Sequence, residues 1–240
     1  MTSTSSPVLL VLGAGPGLGM SVAHRFGREG WSVALLSRSC ERHPGYLQSL
    51  GDAGIEAASF VADAMQPAHL RTAVAAVRAH FGRIDVGYYG PAATMPLVDI
   101  TGLDGDGARD ALSWVVPAVE FGSLLLPEMR QRGSGGLLFA GGLSSVVPMP
   151  PLGGLALTAA ALRNYALTLH AALAPEGIYA GTLTVGGLIE NSDIHRTVTA
   201  DGAHIRDITA NTLDPDELAD TLWRLYRDRT EAEAVINALT

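Results

Sequence analysis

The sequence predicts an α/β protein, a doubly wound parallel sheet of about seven strands with helices on both faces. Three observations carry that expectation. Short, β-prone apolar runs alternate along the chain with segments of helical period. The first run, Val8–Leu12, opens directly onto the glycines of Gly13–Gly19, and a helix-period segment follows. The 240 residues are 48% hydrophobic and 17% charged, with no repeat, linker or low-complexity tract, which fits one domain spanning 1–240.

The elements follow in order. Val8–Leu12 is short, apolar and bounded by glycine, so it reads as a buried strand. Leu18–Glu29 has helical spacing and stops at Gly30. Strand Ser32–Ser37, helix Leu47–Ala53 and strand Ala57–Ala62 come next, then a helix at about Pro67–Phe81 and strand Ile84–Tyr89. One long helix near Asp106–Gln131, containing Pro117, precedes strand Gly136–Ala140. Helix Leu155–Leu173, strand Ala180–Val185, helix Pro215–Asp228 and a terminal strand Ala232–Asn237 complete the series. Such alternation implies right-handed crossovers, and ligands then sit beyond the carboxyl ends of the strands. Residues 190–211 have little periodicity and fall on that edge, so they are expected to form either a substrate lid or an ordinary surface loop.

Composition removes several chemistries. All sixteen basic residues are arginine, so a Schiff-base amine, a pyridoxal phosphate anchor and a P-loop lysine are impossible. A net charge of −8 argues against a nucleic-acid partner, which would need clustered cations. Cys40 is the single cysteine and cannot form an internal disulfide, which suits a reducing compartment. The amino terminus lacks the basic and apolar regions of a signal peptide, and no uninterrupted stretch reaches the length of a membrane span. The expected location is therefore the cytoplasm. No spacing suits a metal.

Gly13, Gly15, Gly17, Leu18 and Gly19 lie between a first strand and a first helix, the context a Rossmann-like phosphate loop requires. Glycine permits the tight turn and lets backbone N–H groups approach a diphosphate. Ser37-Arg38-Ser39 ends the second strand with no carboxylate at its tip. An acid there would hold the two ribose hydroxyls of NAD, whereas Arg38 suits the 2′-phosphate of NADP(H) or stands simply solvated. Asp63 is placed to accept from an adenine amino group, and equally to cap a helix before Pro67.

With these residues in view, the chain resembles the short-chain dehydrogenase/reductase family over nearly its whole length. The loop is similar to that family's TGxxxGxG with Leu12 in place of threonine. Ile84-Asp85-Val86 resembles the strand before its NNAG motif, here Tyr89-Gly90-Pro91-Ala92, which places Gly90 at the cofactor. Leu126-Pro127-Glu128-Met129 and Ala171–Ile178 resemble its helix-end phrases. The resemblance implies an Asn–Ser–Tyr–Lys tetrad in which tyrosine delivers a proton beside the nicotinamide. Ala159-Ala160-Ala161-Leu162-Arg163 is similar to the family's KAALR, so the lysine position is Ala159. Counting back, the tyrosine position is Leu155, the serine position Gly142 and the asparagine position about Trp114. None of the four expected residues stands at its matching position.

The vacated pocket is expected to offer Tyr89 as a proton donor, or Tyr88, since adjacent strand residues face opposite ways; an aromatic ring packed in the core under a helix is the equal alternative. Ser144 and Ser145 follow as substrate-orienting hydroxyls or turn residues, and Asp193 with His195 as an acid/base pair or solvated loop residues. Three functions remain open. One is a non-standard enzyme performing a cyclisation, isomerisation, dehydration or atypical reduction on a small apolar metabolite. Another is a divergent NADP(H)-dependent, ketoreductase-like oxidoreductase. The third is a non-catalytic partner subunit. The resemblance also implies a homodimer or homotetramer.

Overall fold

A computed structural model describes residues 6–92, 95–200 and 211–239. Its strands are β1 (Val8–Leu12), β2 (Ser32–Ser37), β3 (Ala57–Val61), β4 (Val86–Tyr89), β5 (Gly135–Gly142), β6 (Ile178–Gly186), β7 (Leu188–Ile189), β8 (Thr212–Leu213) and β9 (Glu233–Asn237). Its helices are α1 (Leu18–Gly27), α2 (His43–Asp52), α3 (Pro67–Phe81), α4 (Gly105–Ser113), α5 (Val116–Arg132), α6 (Gly153–Leu173), α7 (Asp193–Ala200) and α8 (Pro215–Asp228). Seven strands form one sheet in the order β3-β2-β1-β4-β5-β6-β9, every pair parallel. The expected doubly wound sheet is what the chain builds.

Both faces are covered, which is why the strands are apolar without alternation. Leu10, Leu12, Tyr89 and Phe139 face Val74, Phe121 and Leu162 of α3, α5 and α6. Leu9, Val11, Tyr88 and Leu138 face Val22, Phe26, Leu218 and Leu222 of α1 and α8. Each strand leucine taken fully from water contributes about 1.5–3 kcal/mol. The chain leaves β1 on one side for β2 and β3, then crosses back to β4 on the other. The crevice between the tips of β1 and β4 is therefore the switch point where ligands of such sheets bind.

Several boundaries differ from the sequence expectation. The single helix expected over 106–131 is two, α4 and α5, with Trp114 and Val115 between them. Pro117 has no N–H and its ring clashes with a carbonyl four residues back, so it fits only the first turn of a new helix. Pro127, by contrast, lies inside α5 without ending it. Helix α2 begins at His43 rather than Leu47, with Pro44 in its first turn. Strand β4 begins at Val86 rather than Ile84, and the Asp85 carboxylate just before it accepts from the Val8 N–H at 2.9 Å. Strands β5 and β6 run longer than expected, through eight register pairs. Residues 190–211 are not uniformly irregular: α7 lies within them, and β7 pairs with β8 at their base. Residues 201–210 of the expected lid lie outside the described residues.

Candidate functional site

The glycine loop is locked on one side and open on the other. Gly13 has φ +94°, and a Cβ there would meet Pro91 N at 2.6 Å and Gly90 C at 2.7 Å. Gly19 lies so close to the loop that its Cβ would meet Gly13 O at 2.7 Å. At Gly15, by contrast, a Cβ would meet only Gly13 O at 3.9 Å, so the loop faces open space there. Helix α1 starts with Gly17 as a cap that offers no side-chain bond, and no acid stands in its first turn. Its leading N–H groups, Leu18 and Gly19 among them, point along the axis toward that space, and the Leu18 side chain is buried behind them.

At the tip of β2, Ser37 Oγ lies 2.9 Å from Ser39 O and 2.7 Å from His43 Nε2. Arg38 is exposed and has no hydrogen bond or ion pair among the described residues. Asp63 does not cap α3, whose cap residue is Gln66; its Oδ1 accepts from Met65 N–H at 3.0 Å in the turn before it. Gly90 donates its N–H to Leu12 O at 2.9 Å, and a Cβ at Gly90 would overlap the Tyr88 hydroxyl.

The paired tyrosines of β4 do not line an open pocket. Tyr88 is 1% exposed and Tyr89 4%, on opposite faces of a sheet covered on both. The Tyr89 ring packs 6.0 Å from Phe121 and 6.1 Å from Phe139. Burial pushes both phenols above the usual tyrosine range, the reverse of what an acid at neutral pH requires.

Farther along the edge, Leu155 and Ala159 stand one turn apart on α6, with half-buried Trp114 at the end of α4. Thr158 Oγ1 lies 2.7 Å from Ala111 O and 3.1 Å from Gly154 O, tying α6 to α4. Ser145 Oγ donates to Gly142 O at 2.8 Å, whereas half-buried Ser144 has no hydrogen-bond partner among the described residues. A Cβ at Gly141 would meet nothing within 4 Å, and one at Gly142 only Ser144 Oγ, at 3.7 Å. The floor here is open, and Ser144 is the hydroxyl left available on it.

Above the glycine loop, Glu190–Ser192 pack on Gly17, where a Cβ would meet Ser192 Cβ at 3.1 Å and Glu190 O at 3.2 Å. Asp193, the first residue of α7, accepts from Arg42 Nη1 at 2.8 Å and Nη2 at 3.0 Å. That guanidinium, with Arg196 beside it, holds the Asp193 carboxyl below its ordinary range. Asp193 is thus committed to an ion pair rather than paired with His195. Sequence reasoning missed Arg42, His43 and Ser192. A cleft of about 530 Å³ lies on the flank formed by α1, α8 and β9, lined by ion-paired side chains such as Arg25 and Asp220. It shares no residue with the edge just described. Among the described residues no group of His, Cys, Asp or Glu could hold a metal, and no helix is long and apolar enough to cross a membrane.

Known proteins match this arrangement. A chain named as a ketoacyl reductase of Streptomyces coelicolor is 36% identical over 109 residues, 43% of this chain and 42% of its own. One named as a ketoacyl reductase of the granaticin polyketide synthase of Streptomyces violaceoruber is 32% identical over 140 residues, 57% of this chain and 48% of its own. The matches thus span less than half of those relatives. The L-sorbose reductase of Gluconobacter frateurii, solved with NADPH and L-sorbose, shares the fold with a TM-score of 0.85 at 21% identity, over 98% of this chain and 96% of its own. The family model described as short chain dehydrogenase matches residues 7–201, most of the sheet and the whole glycine loop. With strand order, loop and sequence model in agreement, the chain belongs to the short-chain dehydrogenase family.

Proposed function

We propose that this chain is an NADP(H)-binding enzyme that works on a small, largely apolar metabolite without a tyrosine–lysine proton donor. One observation carries the reading: the chain has no lysine at all, and the resemblance read above sets Leu155 and Ala159 of α6 at the tyrosine and lysine positions. A dinucleotide fits the residues present, since the open side of Gly15 and the uncapped start of α1 form an anion cradle, and Arg38 stands unpaired for a 2′-phosphate. When bound, that group supplies hydride chemistry.

The chain's own residues then orient and enclose. Trp114, Leu155 and Ala159 make an apolar wall, Ser144 offers a hydroxyl to a carbonyl or enol, and α7, which follows the Glu190–Ser192 segment packed on Gly17, serves as a lid. Tyr89 supports the β4 tip by packing rather than by proton transfer. Reactions within reach are cyclisation, isomerisation, dehydration, or a reduction whose proton comes from water or the substrate. The test pairs NADPH titration by tryptophan fluorescence with product analysis on candidate carbonyl and polyene substrates. Conversion without net NADPH oxidation supports the reading, and a standard bell-shaped reductase profile with stoichiometric oxidation overturns it.

A ketoreductase-like activity is the second reading, favoured by the names of the Streptomyces relatives and by the unpaired Arg38. Stoichiometric NADPH oxidation on a keto substrate, with a bell-shaped pH profile that reports an enzyme acid, would select it over a reduction whose proton comes from water or the substrate. The exposed apolar residues Leu112, Val116 and Val119 along α4 and α5 support self-association through that face, which light scattering on the purified chain tests.

A further inference from the structure

The hydroxyl of Ser37 has one proton and two neighbours. Ser39 O is a carbonyl and can only accept, so Ser37 donates to it and must itself accept from His43 Nε2–H. The relay therefore runs His43 to Ser37 to Ser39 and fixes which imidazole nitrogen carries the proton. His43, in the first turn of α2, is 5% exposed, and burial pushes its pKa below the usual histidine value. The Ser37–Ser39 bond closes a turn whose middle residue is Arg38, and no described residue holds the Arg38 guanidinium. The placement of that guanidinium is left to the backbone of the turn, and the turn is anchored to the body of the protein by His43. Ser37 itself has no proton left for a ligand.

We infer that His43 is a positioning residue for 2′-phosphate recognition: through Ser37 it shapes the turn that presents Arg38, and so sets the preference for NADP(H) over NAD(H). The inference rests on the dinucleotide reading above and names a residue for it.

Dissociation constants for NADP⁺, NAD⁺ and adenosine 2′,5′-bisphosphate, measured on the full chain by tryptophan fluorescence, test it. His43→Leu should weaken NADP⁺ and the bisphosphate by about five- to tenfold, the worth of one lost hydrogen bond, and leave NAD⁺ within about twofold. His43→Gln, whose amide nitrogen lies near the Nε2 position, should restore most of the loss. Ser37→Ala should match His43→Leu, and the double variant should be no worse than either. If His43→Leu folds poorly, Ser37→Ala breaks the same relay from its exposed end. Equal weakening of NADP⁺ and NAD⁺, or NADP⁺ binding within twofold of wild type in both single variants, overturns the positioning role alone. A wild-type chain that binds no dinucleotide overturns the dinucleotide reading, and this inference with it, before any variant is made.

Discussion

Breaking the Arg42–Asp193 bridge should speed the release of NADPH while leaving the fold intact. The bridge joins Arg42, the residue before α2, to Asp193 at the start of α7, between residues 151 apart in sequence, and is bidentate at 2.8 and 3.0 Å. Its side chains are 51% and 60% exposed, so water screens most of the Coulomb attraction. An exposed pair of good geometry is worth about 0.5–1 kcal/mol, which shifts the closed-to-open ratio of the lid by about two- to fivefold. Asp193 also sits in the first turn of α7 and pairs with Arg196, so Asp193→Asn mixes the bridge with helix stability. Arg42→Gln leaves those local roles alone, and the double-mutant cycle isolates the link between helices. Stopped-flow displacement of NADPH should give off-rates two- to fivefold faster for Arg42→Gln. Raising salt from about 50 to 500 mM should bring the wild type toward the variant, since the Debye length falls below the bridge's reach to neighbouring charge. Off-rates that match wild type at low salt, with no salt dependence, would refute α7 as a latched lid.

Two substitutions separate packing from binding in the loop: Gly13→Ala forces a methyl onto backbone at φ +94° and should cost at least 1–2 kcal/mol, read as a fall in Tm. Gly15→Ala enters open space and should leave Tm within about a degree while weakening NADPH, as titration would show. Ser144→Ala should lower kcat about tenfold or more, whereas Tyr89→Phe should keep full activity; the reverse pattern in steady-state kinetics would restore Tyr89 as the proton donor. Glu233 accepts from Arg163 and from Thr184 at 2.7 Å, and the guanidinium holds its pKa below the ordinary value. A depressed carboxylate contributes stability above its unfolded pKa of about 4.3 and loses it as pH falls through the lower folded value. Glu233→Gln should therefore cost about 1–3 kcal/mol at pH 7, and its melting curve should converge on wild type only once the pH falls below the lowered folded pKa.

What could be read from the residues depended on how local the cause was. Val8–Leu12, Ser32–Ser37 and Pro215–Asp228 match their expected limits because their periodicity, flanking glycine and capping aspartate act within a few residues. Helix α7 is hard to read from periodicity because it is eight residues long, polar on average and buries no residue, so Ile194 and Val198 on one face are its whole apolar signal. The pairing of β7 with β8 and the reach of Arg42 hold it in place. The choice between Tyr88 and Tyr89 was framed as pocket against core, but both faces of this sheet are core, so alternation along β4 sends each ring into packing. The relay from His43 to Ser37 is local, six residues apart, yet no composition or spacing rule gives the direction of a hydrogen bond.

The edge of the sheet is constrained unevenly, and that unevenness bears on how such a site changes. Around β1 the chain, open at Gly15, is locked at Gly13 and Gly19, where a Cβ would meet backbone at 2.6 and 2.7 Å. Around β5 it is not, since Gly141 faces open space and Gly142 meets only a serine hydroxyl. Leu155 is half-buried one turn from Ala159, so exchanging polar for apolar side chains on that wall asks little of the fold. Substitution at the β5 half costs mainly chemistry, whereas substitution at Gly13 or Gly19 in the β1 half costs stability. A chain under selection for a new reaction would therefore be expected to keep its glycine loop, and the nucleotide end with it, while its proton-transfer groups were replaced. On the function proposed here, Gly13–Gly19 beside Leu155 and Ala159 is the outcome of that asymmetry.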